Sequence, residues 1–406
     1  MRFITFFLLL VIAGSNAQAQ QKTSGTWWRA QLHRQDGQNI VFNFEWTTEK
    51  GKPVWYIRNA AERLRVNNIK EKGDSLIIEM PLFESQFRIK KEADGLTGNW
   101  IKGGAFKTQV MPFTATKDMH RFYGDKETTP NLHGRWSAVF VTKTAIEPAI
   151  AELTQHANYV SGTFLNPTGD YRYLEGIVVH DSLKLSCFDG GHAFLFTAKI
   201  DNRNKLSNGW FYSGATAKQE WHAEKNDTAT LPMDDVAMYV RNGEDKLHFT
   251  FNDLEGKPVS INDERFKNKV VIIQLMGSWC PNCMDETAFL SDYYLKNKKR
   301  GVEIISLAYE YSTDRDRSVR TLKKFQQRFN VTYPMLITGI TVTDSLRTEK
   351  TLPELTPIKS FPSSVILDKQ GRVRKLETDF NGPATGEHYT IYKKEFEETI
   401  DKLLSE

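Results

Sequence analysis

Val270-Val271-Ile272-Ile273-Gln274-Leu275-Met276-Gly277-Ser278-Trp279-Cys280-Pro281-Asn282-Cys283 is the stretch on which the fold turns. The apolar run Val270 to Leu275 has the length of a strand and reads as a buried one. Pro281 suits a first helical turn, because its missing N–H would be unpaired there anyway. The chain from Pro281 to about Lys299 reads as that helix. Cys280 therefore stands where a strand hands over to a helix. The free N–H groups and partial positive charge of a helix N-terminus favour a thiolate there. Thiolate is the attacking species in disulfide exchange. Cys283, one turn further in and better covered, is placed to attack a mixed disulfide. The pair reads as a two-electron carrier, with Cys280 the nucleophile and Cys283 the resolving thiol.

The rest of the chain supports a reactive pair rather than a structural one. Only three cysteines occur in 406 residues. Half of a four-ligand zinc site is the competing reading of Cys-x-x-Cys, but nothing supplies the other half. The nine histidines are scattered, so no metal and no cofactor is expected. Cys187, in an alternating apolar stretch, reads as a small buried side chain. Net charge is +4 with both signs interspersed, which gives no footprint for nucleic acid. Arg2, the apolar Phe3 to Ala13 and the small-residue site Ala17-Gln18-Ala19 read as an export signal. The expected mature protein is soluble in the periplasm or cell envelope, where conditions oxidise thiols.

Periodicity divides the chain. From about Ser24 to Glu224 short alternating runs, punctuated by Gly, Asn and Asp, read as all-β. Ile150 to Gln155 is the one short helical candidate. Gly25-Thr26-Trp27 answers to Gly134-Arg135-Trp136, Asp74-Ser75-Leu76 to Asp181-Ser182-Leu183, and Gly95 to Trp100 answers to Lys205 to Trp210. These landmarks in one order predict two tandem β modules, small barrels or sandwiches. The expected division is a signal over 1–19, a β module over 20–116, a joint over 117–132, a second module over 133–224, a joint over 225–243 and an α/β domain over 244–406. In that last part strands at Val270 to Leu275, Val302 to Ala308, Ser363 to Leu367 and Arg372 to Leu376 alternate with helices at Arg315 to Phe329 and Tyr389 to Leu404.

Residues from about Leu247 onward resemble the thioredoxin-like, TlpA/ResA-type thiol-disulfide oxidoreductases. The matching elements are Phe249-Thr250-Phe251 with Gly256-Lys257-Pro258, Trp279-Cys280-Pro281-Asn282-Cys283, and Phe361-Pro362-Ser363-Ser364-Val365 before Asp368-Lys369-Gln370-Gly371. The resemblance implies a thioredoxin fold with an extra segment between central strand and helix, and a related excursion at Asp344 to Ile358. It implies a cis peptide bond at Pro362, with Phe361 offering extended backbone to a substrate segment. It implies a proton-handling glutamate at Glu286, whose three-residue spacing puts it on the face of Cys283. Trp279 and Pro281 are implied to border the disulfide and contact partners. One departure stands out: the aspartate of thioredoxin's central strand is replaced by Gln274, which moves proton handling toward Glu286 or water.

The function expected is an exported oxidoreductase that reduces protein disulfides through a Cys280/Cys283 cycle, recharged by a membrane electron donor. Any membrane association would run through such partners. Two alternatives are a peroxiredoxin-like thiol peroxidase and a β-barrel ligand-binding protein with an accessory redox domain. The first suffers because Ile273 to Trp279 lacks the proline that precedes the peroxidatic cysteine. The second would use Trp27, Trp28, Trp100, Trp136 and Trp210 as a lining rather than as core. The β region is otherwise expected to pick partners or to hold a homodimer.

Overall fold

A computed structural model describes residues 25–124, 130–232, 237–378 and 380–406. The expected export signal over 1–19 and parts of both joints lie outside the described residues. Two antiparallel β units come first, and an α/β unit with a thioredoxin-like sheet follows.

The two β units share one strand order, and among the described residues each sheet has nine strands. In both, the opening strand pairs with the closing one: Thr26–Leu32 with Gln109–Lys117, and Gly134–Val141 with Ala217–Lys225. The landmark residues fall on equivalent strands. Trp27 and Trp136 lie on the opening strands, Leu76 and Leu183 on Ser75–Glu79 and Ser182–Phe188, and Trp100 and Trp210 on Gly95–Lys102 and Lys205–Ser213. The second unit closes as a barrel, because Tyr159–Asn166 pairs with both Ile146–His156 and Leu174–Val179. The first remains open: among the described residues no pairing joins Glu62–Val66 to Asn68–Lys72.

Aromatic side chains fill both interiors. Phe44 stacks on Trp55 at 3.9 Å in the first, and Phe164 on Phe196 at 4.8 Å in the second. Trp28, Trp100 and Trp136 are buried, while Trp27 and Trp210 are half-buried. Phe188 of the second unit enters the first unit's core, stacked 4.2 Å from Phe42. The two units thus share apolar burial.

Ile150 to Gln155 is a strand, not a helix. It belongs to Ile146–His156, hydrogen-bonded on both sides. Ala149, Ala151 and Leu153 face the barrel core, and Ile150 points the other way, under Ala229. Two ladders of backbone hydrogen bonds and that alternation outweigh the helix preference of Ala and Leu.

The third sheet runs in the order Pro258–Ser260, Thr250–Asp253, Met335–Ile337, Val302–Ala308, Val270–Met276, Ser363–Leu367, Val373–Glu377. Val270–Met276 lies inside the sheet, parallel to Val302–Ala308 and antiparallel to Ser363–Leu367. All seven of its residues are buried, as a strand covered on both faces requires. Alternation sends Val270, Ile272 and Met276 to one apolar cluster and Val271, Ile273 and Leu275 to the other. Among the described residues four α-helices flank the sheet: α1 (Pro281–Asn297), α2 (Arg315–Phe329), α3 (Arg347–Thr351) and α4 (Glu387–Ser405). Asp314 caps α2 by accepting from the Asp316 and Arg317 N–H groups at 2.9 and 3.2 Å. α4 buries Tyr392, Phe396, Ile400 and Leu403, one helical stripe whose members contribute about 1.5–3 kcal/mol each. Among the described residues no helix is long and apolar enough to cross a membrane.

Candidate active site

The cysteine pair is set at the junction its sequence implied. The buried strand Val270–Met276 ends, the chain turns through Gly277 to Trp279, and α1 begins at Pro281. Cys280 is the N-cap of α1, with extended backbone, and its sulfur accepts the Cys283 N–H at 3.1 Å. Cys280 and Cys283 are joined as a disulfide. An N–H pointed at sulfur, together with the helix dipole, stabilises the thiolate once the bond opens. Cys283 is fully buried and Cys280 is 4% exposed.

The turn is braced on both sides. Ser278 donates its N–H and its hydroxyl to the two carboxylate oxygens of Glu310, at 2.8 and 2.6 Å. Trp279 donates its indole N–H to the Tyr309 carbonyl at 2.8 Å, stacks on Tyr311 and meets Phe361 edge-on. The Phe361–Pro362 peptide is cis, and the Phe361 carbonyl oxygen lies 3.5 Å from the Cys280 sulfur. Phe361 is half-buried and Pro362 buried. Phe361 thus lies against Cys280 and meets Trp279, and Pro281 and Pro362 follow Cys280 and Phe361 directly in the chain.

Glu286 follows from the same alternation. Gln274 shares its strand face with Ile272 and Met276, the face that α1 covers, and there it meets Glu286. Glu286 is 1% exposed. Gln274 Nε2 donates to one of its oxygens at 2.9 Å, while Ser364 and Tyr392 hydroxyls donate to the other at 2.9 and 3.4 Å. Three donors favour the carboxylate, yet burial outweighs them and pushes the pKa up to about 7. Gln274 is itself held by Ser306, whose hydroxyl donates to it at 2.8 Å. Position 274 thus orients Glu286 instead of relaying a proton.

Sequence reasoning missed Glu310. It is buried, and desolvation likewise lifts its pKa to about 7 against the two Ser278 hydrogen bonds. No local spacing signals a partner 32 residues away. It also missed the first unit's Leu82 and Phe83, which share one apolar cluster with both cysteines. Cys187 lies in the second barrel's core, free and buried, its thiol pushed well up by desolvation. Among the described residues no group of three or more His, Cys, Asp or Glu side chains is arranged to hold a metal.

The Redoxin family model matches residues 241–390. Among curated proteins, the thiol-disulfide oxidoreductase ResA of Bacillus thuringiensis subsp. konkukian is 30% identical over 152 residues, 37% of this chain and 76% of that one. The ResA of Bacillus subtilis is 23% identical over 139 residues, 34% and 68% of the two chains. Among solved structures, the thioredoxin domain of a thiol-disulfide oxidoreductase from Bacteroides vulgatus is 24% identical, covers 38% of this chain and 98% of that domain, and has a TM-score of 0.28.

Proposed function

This chain belongs to the thioredoxin-like, ResA-type thiol-disulfide oxidoreductases, and we propose that it is an exported enzyme that reduces protein disulfides through Cys280 and Cys283. The observation that carries this reading is the Cys280 sulfur: N-cap of α1, 3.1 Å from the Cys283 N–H and 3.5 Å from the Phe361 carbonyl. A substrate segment laid along Phe361 brings its disulfide to that sulfur.

The Cys280 thiolate attacks one substrate sulfur, forming a mixed disulfide, and the other substrate sulfur leaves as a thiolate that takes up a proton. Cys283 then attacks Cys280, the protein disulfide closes, and the second substrate sulfur is released as a thiol. Two electrons have passed from the pair to the substrate. Cys283 must lose its proton inside a dry site. Glu286, on the same face of α1 and with a pKa of about 7, is suited to accept it and to return it. A membrane electron donor in the envelope restores the dithiol. Export rests on the reading of residues 2–19.

The ligand-binding alternative loses support from the aromatic filling of both β interiors. The peroxidase alternative lacks its motif, since Gly277-Ser278-Trp279 precedes the first cysteine. Replacing Cys283 by Ala leaves Cys280 without a resolving partner. Incubated with oxidised envelope proteins, this variant should retain covalently bound proteins that dithiothreitol releases. If it retains none, and the reduced wild type fails to open any protein disulfide, the reading is wrong.

A further inference from the structure

The redox disulfide is covered by the β units. The hairpin loop 80–84 joins Ser75–Glu79 to Ser85–Glu92, and the loop 189–192 joins Ser182–Phe188 to Ala193–Asn202. In the shared strand order these are the same hairpin of the two copies. Both converge on the start of α1. Leu82 and Phe83 pack in the cluster that contains Cys280 and Cys283. A Cβ on Gly191 would stand 3.0 Å from the Pro281 ring and 3.1 Å from the Phe83 ring, tighter than most such contacts, so a larger residue there would have to push these neighbours aside by a few tenths of an ångström. Phe83 itself is held at a φ of 69°, a conformation that is strained for a bulky side chain and clusters at functional positions.

Two groups of polar contacts hold this arrangement. The buried Arg172 guanidinium reaches Asp285 on α1 at 2.8 and 3.0 Å, Asp189 at 2.7 Å and Glu62 at 2.7 Å. It joins the first unit, the second unit and the helix of the disulfide. Next to it, Asn282 donates to the Asp170 carbonyl at 3.2 Å, between the two cysteines. On the other side Arg317 of α2 grips Glu84 with bonds of 2.6 to 3.1 Å and the Gly104 carbonyl at 3.0 Å. The approach that stays half-open is the one beside Trp279 and Phe361.

We propose that the paired hairpins are the jaws of a clamp that makes the enzyme selective for disulfides on flexible, extended polypeptide segments, with Arg172 and Arg317 as its latches. This rests on the reading of Cys280 as the attacking sulfur. An extended strand slips past Trp279 along Phe361; a folded surface meets the jaws first and reacts only when they lift. If the lifted state holds about 0.1–10% of molecules, reaction with a folded surface is slowed by about 10- to 1000-fold.

The test uses the full-length, reduced protein and two probes carrying one chemistry: a cysteine capped as a 2-thiopyridyl disulfide, on an unstructured peptide and on the surface of a folded carrier protein. Attack by Cys280 on the capped sulfur releases 2-thiopyridone, read by absorbance. Cys283 then frees the peptide or carrier as a thiol. Each rate is normalised to the rate of that probe with dithiothreitol. The wild type should favour the peptide by at least about tenfold. Arg172→Met and Arg317→Gln should each narrow that ratio by speeding the carrier, leaving the peptide rate within about twofold. Should Arg172→Met fail to fold, the half-exposed Arg317→Gln decides. Equal preference in wild type and Arg317→Gln, or no preference in the wild type, overturns the clamp while leaving the thiol chemistry intact. Failure of the wild type to react with either probe overturns the proposed function and the clamp with it.

Discussion

Glu286→Gln is expected to alter the pH dependence of stability in a direction fixed by the site. The side chain is 1% exposed, and burial pushes its pKa from 4.5 up to about 7. Below about pH 4.5 the carboxyl is neutral in the folded and unfolded chains, so it adds no penalty. Between about pH 4.5 and 7 the unfolded chain ionises first, and stability falls as pH rises. Above about pH 7 both states are ionised and the penalty is complete. The gap from 4.5 to about 7 corresponds to about 3 kcal/mol at 1.36 kcal/mol per pH unit. Gln cannot ionise, so the variant lacks this slope. The new amide keeps its oxygen on Gln274 Nε2 by turning its NH2 toward the Ser364 and Tyr392 hydroxyls, which can accept, so the exchanged hydrogen bonds add only a pH-independent offset of about 1 kcal/mol. The informative quantity is therefore the difference between the two profiles, not either profile alone. Urea unfolding of the oxidised full chain, at steps from about pH 4.5 to 8, keeps the Cys280 and Cys283 thiols out of the titration, and the free Cys187 is common to both proteins. Glu310 contributes the same sign in both proteins and cancels on subtraction. The variant should gain about 3 kcal/mol on the wild type across that range. A difference that stays flat within about 1 kcal/mol refutes the account of Glu286 as a desolvated carboxyl.

Cys187 should be inert in the folded protein. Iodoacetamide should leave the native oxidised chain unlabelled and reach three sites only after reduction and unfolding, counted by mass spectrometry; labelling of Cys187 in the native state contradicts its burial. Gly176→Ala should destabilise the second barrel by about 2 kcal/mol or more, because the added Cβ runs into the Lys184 carbonyl of the neighbouring strand. Thermal unfolding checks this, and an unchanged midpoint would show that the strands part easily there.

What the sequence disclosed is what short-range physics controls. The run from Val270 to Cys283 announces strand, turn and helix cap because each depends on a few neighbouring residues. Glu286 could be placed on the face of Cys283 by counting, and the alternation of the strand puts Gln274 opposite. That the two bond, and that Ser364 and Tyr392 complete the set, depends on partners up to 106 residues away, which no local pattern encodes. Glu310 escaped for the same reason. Ile150 to Gln155 was misjudged as a helix because its composition favours one, while its two strand partners decided otherwise. The tandem repeat was legible through its tryptophans and Asp-Ser-Leu turns, but its consequence for the disulfide was not. Arg172 and Asp285 are 113 residues apart.

That consequence turns on an asymmetry between the two copies. A closed barrel buries its interior alone, as the second unit does. The first unit lacks the closing pair among the described residues, and its core takes in Phe188, Ala193, Leu195 and Tyr212 from its neighbour. Asn59 fixes the register of the two units by exchanging hydrogen bonds with the Phe188 backbone at 2.8 and 3.1 Å. Phe188 is the last residue of the strand that leads into the loop 189–192. The packing that completes the first core therefore also sets where the second hairpin points. The first hairpin leaves Ser75–Glu79, whose Leu76 and Ile78 lie in that same core. Both loops are positioned by one shared apolar body and cannot drift independently over α1. Two separate, self-contained barrels on flexible joints would meet the disulfide at no fixed angle. The incomplete first barrel, unfavourable by itself, is what makes the pair of hairpins a single rigid cover.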